Sequence, residues 1–423
     1  MQSEKPKLFP ETTHFLWVAL FFLGVILVRL SVEFYTYQNF ISKPFYYTHV
    51  NVLNAYEKTK GKKRYQVLKL RSDEGLTFYT THYGKEDLGR TRLRVQIFPD
   101  NRIGFADYLG TFYVKSRIKH QEPLPQTFKD ELLKKVASQH RDGSLQSFYH
   151  AIFFATPLEK GLREKISLLG ISHLVALSGF HLGILWGLVY GLLLLLYRPL
   201  QQHFFPYRHA LFDVGLFAMI VLGMYVWFVD FPPSLVRSYA MVLVGWIVLL
   251  LGMELLSFTF LATIVMGLAA LFPSLLVSLS FWLSVAGVFY IFLLLQYSKG
   301  VRTWIISLLL LPVVLFVLML PVVHAIFGVT SLYQLLSPLL SLLFVPFYPL
   351  AIGLHLLGAG SLFDTALSAL FSLPKSSTES LLPIWGLVGY AGLSIGAIWN
   401  KTLFWSVMAL ASSYMLYLFI LVE

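Results

Sequence analysis

From Ile171 to its end the chain is almost continuously apolar, and this run constrains the fold more than any other feature. A helix needs about 20 apolar residues to cross a bilayer. By that length the sequence predicts helices over 171–197, 209–229, 235–252, 256–272, 274–297, 303–325, 381–399 and 402–422. Only 13% of the 423 residues are charged, about half the share in soluble domains, which argues against a water-soluble fold.

Two more apolar segments bring the expected number of membrane segments to nine or ten. The first is Phe15–Leu30, and since no small-residue cleavage site follows it, we expect an uncleaved helix within residues 1–43 rather than a signal peptide. The second, 332–357, contains three prolines and either spans the membrane or dips in and returns. The chain is therefore expected to be a polytopic α-helical membrane protein, with its main helical domain over 171–423.

Residues 44–122 have the pattern of a small β domain. Short apolar and polar residues alternate in five runs: Phe45–Leu53, Arg64–Leu70, Leu76–Thr81, Thr91–Phe98 and Thr111–Ile118. In the fourth run Leu93, Val95 and Ile97 are expected to face a core, and Arg92, Arg94 and Gln96 to face water. Five strands in this length favour a β-barrel of the OB type, although an SH3-like barrel would give a similar pattern.

Residues 123–170 form a mixed linker with helical spacing. Phe128, Leu132, Leu133 and Val136 recur beside charged residues. Such a helix either lies along the membrane surface or is a soluble connector.

Charge is concentrated in the β domain. Residues 43–120 hold 16 Lys and Arg against 7 Asp and Glu, within a chain of net charge +11. Cations interleaved with aromatic rings suit single-stranded nucleic acid, which stacks its bases and presents phosphates; a solvated face or a lipid headgroup contact is the alternative. The candidate DNA-binding residues are Lys62, Lys63, Arg64, Tyr65, Arg90, Arg92 and Arg94.

Loop charges predict the orientation. Lys5 and Lys7 precede the first helix, and further cations lie in the loops around Arg198 and Arg302. The positive-inside bias places these segments in the cytoplasm and the β domain on the opposite, periplasmic side of an inner membrane.

Polar residues within the apolar run are candidate functional groups because they are costly in a membrane. Ile171-Ser-His-Leu-Val-Ala-Leu-Ser-Gly-Phe-His-Leu-Gly183 contains His173, Ser178, Gly179 and His181, and its glycines Gly179 and Gly183 permit close backbone approach or local unwinding. Helix packing by small residues explains the same pattern. Lone Asp213, Glu254, His324 and His355 are expected to be interfacial or paired.

A second polar group is Asp230-Phe-Pro-Pro-Ser-Leu-Val-Arg237, where two prolines interrupt the chain at the edge of an apolar run. Arg237 needs a carboxylate, a hydrated cavity or an anionic ligand. Asp230 is one candidate partner and a phosphate is the other; Ser234 lies between them.

Several chemistries are not indicated. The chain has no cysteine, no phosphate-binding loop of the G-x-x-x-x-G-K-[ST] type and no clustered metal-binding motif. We therefore expect no catalytic residue, no metal and no cofactor.

These motifs resemble, in their order, the ComEC family of DNA-uptake channels. The resemblance rests on His173-Leu-Val-Ala-Leu-Ser-Gly-Phe-His-Leu-Gly183, Pro233-Ser-Leu-Val-Arg237, Leu279-Ser-Phe-Trp-Leu-Ser284 and Gly104-Phe-Ala-Asp-Tyr-Leu109. It implies a periplasmic OB fold and a helical domain that passes one DNA strand into the cytoplasm during natural transformation. It also implies a periplasmic DNA-receptor protein and a cytoplasmic helicase-type ATPase as partners.

Many relatives continue into a metallo-β-lactamase-like domain, whereas this sequence stops at Glu423. The resemblance therefore predicts a form without that domain, whose second DNA strand is degraded by another protein.

The main hypothesis is a channel for single-stranded DNA, with Ser178, His181 and Arg237 lining or gating the path. A polyanion needs a hydrated route through hydrocarbon. The alternatives are an intramembrane serine hydrolase with Ser178 as nucleophile, and a small-molecule secondary transporter with a lipid-binding basic domain.

Overall fold

The computed structural model describes residues 8–9, 11–60, 63–84, 88, 91–250, 257–373 and 377–420. The chain divides into two compact units. One comprises Phe9–Thr127 with Ala262–Phe281, and the other holds most of the chain from Phe128 onward.

The first unit contains a long apolar helix followed by a β domain. Its elements are α1 (Thr12–Ile41), β1 (Tyr46–Lys60), β2 (Lys63–Ser72), β3 (Thr77–His82), β4 (Thr91–Phe98), α2 (Phe105–Leu109), β5 (Phe112–Tyr113) and β6 (Lys115–Pro123). The strands form one sheet in the order β5-β3-β2-β1-β4-β6. All neighbours are antiparallel except β3 and β5, which are parallel.

Alternation along the strands builds the core of the β domain. Leu93, Val95 and Ile97 are completely buried, as the period-two pattern of β4 predicts. They pack in an apolar cluster with residues such as Leu68 and Phe78 from β2 and β3. The expectation for Gln96 was wrong, because this side chain is only 9% exposed.

The predicted barrel is not closed in the structure. The sheet has two ends, β5 and β6, and in the described part of the chain no ladder joins them. The fifth predicted strand is split, since Val114 separates β5 from β6 and its N–H donates to the Tyr79 carbonyl oxygen (2.9 Å). On either side of this residue the segment pairs with different strands, β5 with β3 and β6 with β4.

The second part of the chain is helical apart from a short ladder. Its regular elements are α3 (Phe128–Ala137), α4 (Gly143–Phe154), α5 (Lys160–Leu168), α6 (Ser172–Val175), α7 (Gly179–Phe204), α8 (Ala210–Phe228), α9 (Pro233–Leu250), α10 (Phe258–Leu271), α11 (Leu279–Tyr297), α12 (Thr303–Ile305), α13 (Leu311–His324), β7 (Val329–Thr330), α14 (Ser337–Leu356), α15 (Asp364–Ser372), β8 (Thr378–Glu379), α16 (Ile384–Gly396) and α17 (Lys401–Ile420).

Seven helices within the described ranges are long and apolar enough to cross a membrane, fewer than the nine or ten predicted. Three further apolar helices, Ser234–Leu250, Phe258–Leu271 and Ile384–Gly396, are shorter. At 1.5 Å per residue, the 13 residues of the last one cover about 20 Å, less than the hydrocarbon thickness of a bilayer. The chain is thus a multi-pass membrane protein by the length and composition of its helices.

Two predicted segments differ in continuity from the sequence pattern. Residues 332–357 form a 3₁₀ turn and then the uninterrupted α14, which contains Pro346 and Pro349. The predicted helix 171–197 is instead broken, because Ala176 is extended between α6 and α7.

The linker before Ile171 contributes to a core. Helix α4 buries Phe148, Tyr149, Ile152 and other residues against Phe344 and Tyr348 of α14. The helical spacing of Phe128, Leu132, Leu133 and Val136 falls on α3, and the sequence interpretation of the linker did not extend to α4.

A carboxylate in the β2–β3 turn ties that turn to β1. Glu74 accepts hydrogen bonds from the hydroxyls of Thr48 (2.6 Å) and Tyr46 (2.9 Å). Burial, with a contribution from Glu74, raises the pKa of Tyr46 to about 12. Burial alone would raise the pKa of Glu74, but the hydrogen bonds outweigh it and the pKa is lowered.

We predict that Glu74→Gln destabilises the β domain by about 1 kcal/mol at neutral pH, a value reduced by the exposure of the turn. Because the pKa of Glu74 is lowered in the folded state, its contribution is present above the unfolded value of 4.5. The contribution should disappear as the pH falls through the folded pKa. Hydrogen exchange of β1 amides, compared between variant and parent at each pH, measures this difference.

Glu57→Gln, which alters an exposed carboxylate on β1, is the matched control and should leave the exchange unchanged. A Glu74→Gln effect that is equally large at acid pH would contradict the prediction.

Candidate functional site

Serine hydroxyl groups form hydrogen bonds to the backbone at the non-helical break before α7. Ser178 is the N-cap of α7, and its Oγ accepts a hydrogen bond from the Phe180 N–H (3.3 Å). The carbonyl oxygen of Leu177, which precedes the cap, accepts a hydrogen bond from Ser234 Oγ of α9 (2.7 Å). The predicted polar residues of α7 and α9 are thus brought together at the first turns of both helices.

Gly179 marks the close approach between these two helices. A Cβ atom at this position would lie 3.0 Å from Ser238 Oγ and 3.3 Å from Ser238 Cβ. A Cβ at Gly183, one turn further along α7, would have no neighbour within 4 Å. The prediction of close backbone approach is therefore confirmed for Gly179 and not for Gly183.

His181 is completely buried behind the cap. Its Nδ1 lies 3.4 Å from Ser178 Oγ, and its ring packs edge-on against Phe344 (5.1 Å between centroids) and Tyr348 (4.9 Å) of α14. Although the Leu174 carbonyl interacts with the ring electrostatically, Nε2 makes no hydrogen bond of good geometry within the described residues. The aromatic partners on α14 carry no sequence signal that links them to His181.

His173 lies apart from this group. It belongs to the short α6, and its Nε2 is 3.3 Å from Ser341 Oγ of α14. The structure thus connects both histidines of the motif to α14 through different contacts.

The Asp230–Arg237 segment is a strained turn into α9. Asp230 and Phe231 have φ angles of +66° and +50°, which residues other than glycine rarely adopt. The Asp230 carboxylate accepts from Lys129 Nζ of α3 at 2.6 Å. Arg237 lies one turn inside α9 and is only 6% exposed. The ion-pair partner that the structure gives to Asp230 is therefore Lys129.

The lone polar residues of the helices are mostly paired. Asp213 accepts from Arg208 Nε (2.8 Å), His324 Nε2 lies 2.9 Å from Thr330 Oγ1, and His355 contacts His140 (2.8 Å between Nε2 atoms). These contacts confirm the expectation of paired residues, while Glu254 lies outside the described residues.

The exposed face of the β domain carries some of the predicted DNA-binding residues. Arg94 is exposed and its guanidinium lies over the ring of Tyr47 (5.8 Å). Arg92 is instead ion-paired with Asp73 at 2.6 Å. Tyr65 lies beside Tyr83 (6.0 Å between centroids), which is 72% exposed.

The four other predicted DNA-binding residues lie either on β2 or outside the described residues. Arg64 is exposed on β2 next to Lys63, and both pair with the end of β1. Lys62 and Arg90 lie outside the described residues.

The family model described as Competence protein matches residues 156–423, which is more than half of the chain. The chain belongs to the competence protein family. The match contains every candidate residue on α6, α7 and α9, and it confirms the resemblance to ComEC proteins. Neither the curated proteins nor the solved structures gave a match.

Membership in the competence family supports a role in DNA uptake. In this member of the family, the Leu-Ser-Gly-Phe-His motif follows a break in the helix and caps α7. It also contacts the serines of α9 closely.

We predict that Gly179→Ala destabilises this competence protein by about 1 kcal/mol, because the new methyl group overpacks the contact with Ser238. Ser238→Ala in the same chain should recover part of the loss, since it removes the nearest atom. Unfolding in mixed detergent micelles measures both. Gly183→Ala, where the space is open, is the matched control; equal losses at positions 179 and 183 would contradict the prediction.

Proposed function

We propose that this protein is an inner-membrane channel through which single-stranded DNA enters the cytoplasm during natural transformation. The observation that carries the proposal is the competence-family match over the helical part of the chain. A strand with one phosphate per nucleotide needs a hydrated, partly cationic path through hydrocarbon. The seven apolar helices provide a scaffold that could enclose such a path.

The β domain would bind the incoming strand on the periplasmic side as an OB-like module. The strand order supports this proposal, because β5 and β6 are separated by one residue and border β3 and β4 respectively. A single bent strand between those two edges is the arrangement from which a five-stranded barrel closes. The hydroxyls of Thr80 and Ser116 already connect β3 to β6 at 2.8 Å.

A cleft at this unclosed edge suits a nucleic acid strand. It has a volume of about 340 Å³ and is lined by Leu68 of β2, by residues of β3 and β6 that include His82, Arg117 and Lys119, and by Tyr83, which follows β3. Aromatic rings that stack on bases, together with cations that contact phosphates, give sequence-independent binding of single strands. Tyr83, Arg117 and Lys119 were not among the residues predicted from the sequence, since their relevance depends on the fold.

Among the helices after Ile171, Ser178, His181 and Arg237 would gate the path. They would not line an open pore in the conformation of the structure. Two observations support this: His181 and Arg237 are buried, and the Ser234–Leu177 hydrogen bond holds the start of α9 to the start of α7. Separation of these two helices would expose the three polar groups together.

The proposal assigns no catalytic residue, metal or cofactor to the chain. The energy for transport would come from a cytoplasmic helicase-type ATPase or from the proton gradient. A periplasmic DNA-receptor protein would deliver the strand.

Fluorescent DNA in a strain lacking the gene tests the channel. The labelled DNA should reach the periplasm and not the cytoplasm, and the restored gene should return cytoplasmic signal. Cytoplasmic entry at the parental rate without the gene would overturn the proposal.

We predict that the full chain in nanodiscs binds an oligothymidylate with an affinity that falls as salt rises. Each phosphate contact contributes about 0.7 to the slope of log affinity against log salt. Arg94→Gln should lower the slope by about that amount, because Arg94 lies over the Tyr47 ring and forms no ion pair with a carboxylate within the described residues.

Arg92→Gln is the matched control, since Asp73 already balances the Arg92 charge, and it should change the slope less. Fluorescence anisotropy over a salt series gives both values. Binding that does not respond to salt would instead favour the secondary transporter with a lipid-binding domain.

Ser178→Ala separates the channel from the serine hydrolase. The variant loses the N-cap hydrogen bond, which costs about 1 kcal/mol, and a channel should keep most of its DNA uptake. A hydrolase that uses Ser178 as its nucleophile would lose all activity. Transformation frequency measures the outcome, with protein abundance measured in parallel; loss of transformation at normal abundance would contradict the prediction.

A further inference from the structure

A chain of three titratable groups, two buried histidines and a partly exposed carboxylate, connects the loop before α4 to α14 and α15. His140 has a fully buried side chain, and its Nδ1 lies 2.9 Å and 3.1 Å from the two carboxylate oxygens of Asp364. Its Nε2 lies 2.8 Å from His355 Nε2. The Nδ1 of His355 in turn lies 2.6 Å from the Ala351 carbonyl oxygen.

The protons in this chain can be counted from the acceptor at its end. A carbonyl oxygen only accepts, so Nδ1 of His355 must carry a proton, and in a neutral imidazole Nε2 is then an acceptor. With His355 neutral, His140 therefore donates from Nε2 to His355. The contact between His140 Nδ1 and Asp364 needs a second proton, because a lone pair cannot bond to an ionised carboxylate.

Asp364, His140 and His355 thus share one proton more than an ionised aspartate and two neutral histidines would carry. Whether that proton resides on His140, on His355 or on Asp364, the count is the same. As an imidazolium beside a carboxylate the pair is neutral overall, and His355 lies in the last turn of α14, where the helix dipole favours positive charge nearby.

The loop that carries His140 is held by a second set of bonds at the same place. Gln139 Oε1 accepts from the Gly360 N–H (2.8 Å), and Gln139 Nε2 donates to the His355 carbonyl oxygen (3.1 Å). A Cβ atom at Gly360 would lie 2.6 Å from Gln139 Oε1. Position 360 therefore requires glycine for the loop to dock against the end of α14.

The other groups that face His140 come from α4. The Tyr149 ring stacks on the imidazole at 4.4 Å between centroids, and burial raises the pKa of its phenol. His150 is held by the Leu133 carbonyl oxygen (2.9 Å), and burial lowers its pKa. Tyr149 and His150 are therefore neutral neighbours, and Asp364 and His355 are the groups that respond to the charge of His140. Arg141 and Asp142 follow it in the chain, and Asp142 caps α4 by accepting from Ser144 N–H (2.9 Å).

We propose that Asp364, His140 and His355 form a binding site for a single proton, and that this proton fastens the 138–142 loop to the ends of α14 and α15. Loss of the proton leaves His140 with one N–H for two acceptors, so one of its two hydrogen bonds breaks. Gain of a further proton on His355 Nε2 places two donors face to face and breaks the other bond. The loop is therefore held in a window of pH and released on both sides of it.

The test uses the absence of native cysteine from the chain. Cysteines introduced at Ser138 and Leu362, both exposed, carry spin labels. The labels report the distance between the loop and the 3₁₀ turn Gly360–Phe363, which precedes α15. Double electron–electron resonance in nanodiscs, from about pH 4 to pH 10, should give a distribution of label-to-label distances that is narrow in the middle of the pH range and broader at both ends. A width that does not change with pH would overturn the proposal.

Asp364→Asn distinguishes a proton site from an ordinary ion pair. The amide N–H₂ can donate to His140 Nδ1 while His140 Nε2–H still donates to His355, so every bond forms without the extra proton. The distribution should then stay narrow at alkaline pH, whereas Asp364→Ala should broaden it throughout. Broadening in Asp364→Asn at every pH would show an ordinary ion pair and would reject the proposal.

Nitrogen-15 spectra of histidine-labelled protein at neutral pH give an independent readout. His140, assigned by the signal lost in His140→Gln, should show its nitrogens in hydrogen-bonded, proton-sharing positions in the parent and a plain neutral tautomer in Asp364→Asn. Asp100→Asn, the same chemical change at an exposed site in the β domain, is the control and should leave the signal unchanged. A plain neutral tautomer of His140 in the parent would also reject the proposal if the same sample shows an ionised Asp364 carboxylate and a neutral His355.

Discussion

Within a bilayer each backbone group that leaves a helix must find a partner inside the protein, and this constraint shapes the site at the start of α7. The chain between α6 and α7 is not helical at Ala176, which frees the carbonyl of Leu177. Ser234 from α9 donates to that carbonyl, and Ser178 caps the helix that follows. The break is stable because these two hydroxyls satisfy it, and the break is what brings the starts of α7 and α9 together.

Small residues allow the same helices to approach closely. A Cβ atom at Gly215 or Gly223 of α8 would lie within 3 Å of the Trp246 or Tyr239 side chain of α9. The Tyr239 hydroxyl can then donate to the Met219 carbonyl oxygen on α8 (3.0 Å). Packing of this kind is expected where lipid removes the hydrophobic drive between helices and van der Waals contact must replace it.

Local patterns in the sequence predicted the parts of the fold that local physics determines. Alternation predicted the buried face of β4, and apolar length predicted the positions of most helices. The polar residues of α7 and α9 were found because such groups stand out in an apolar run. For His355 the same reasoning gave the expectation of a paired residue, which the contact with His140 confirms.

Features that depend on distant partners were not predicted. His140 and Asp364 are separated by more than 200 residues, and nothing in the polar linker indicates that α4 is buried. The change of partner strand at Val114, from β3 to β4, depends on pairing at both edges of the sheet. The prolines of 332–357 left two alternatives open in the sequence, a spanning or a re-entrant segment, and in the structure Pro346 and Pro349 lie inside a continuous helix of spanning length.

The two buried histidine groups differ in how their polar atoms are satisfied, and this difference bears on which region moves. Both ring nitrogens of His140 and of His355 are bonded, so opening that contact at constant protonation breaks hydrogen bonds. Nε2 of His181 is buried without a hydrogen bond of good geometry in the described part of the chain. Ring packing against Phe344 and Tyr348 holds His181 to α14, so separation of α7 from α14 there breaks aromatic contacts rather than a hydrogen-bonded network. The docked loop at His140, in contrast, yields only when its proton count changes.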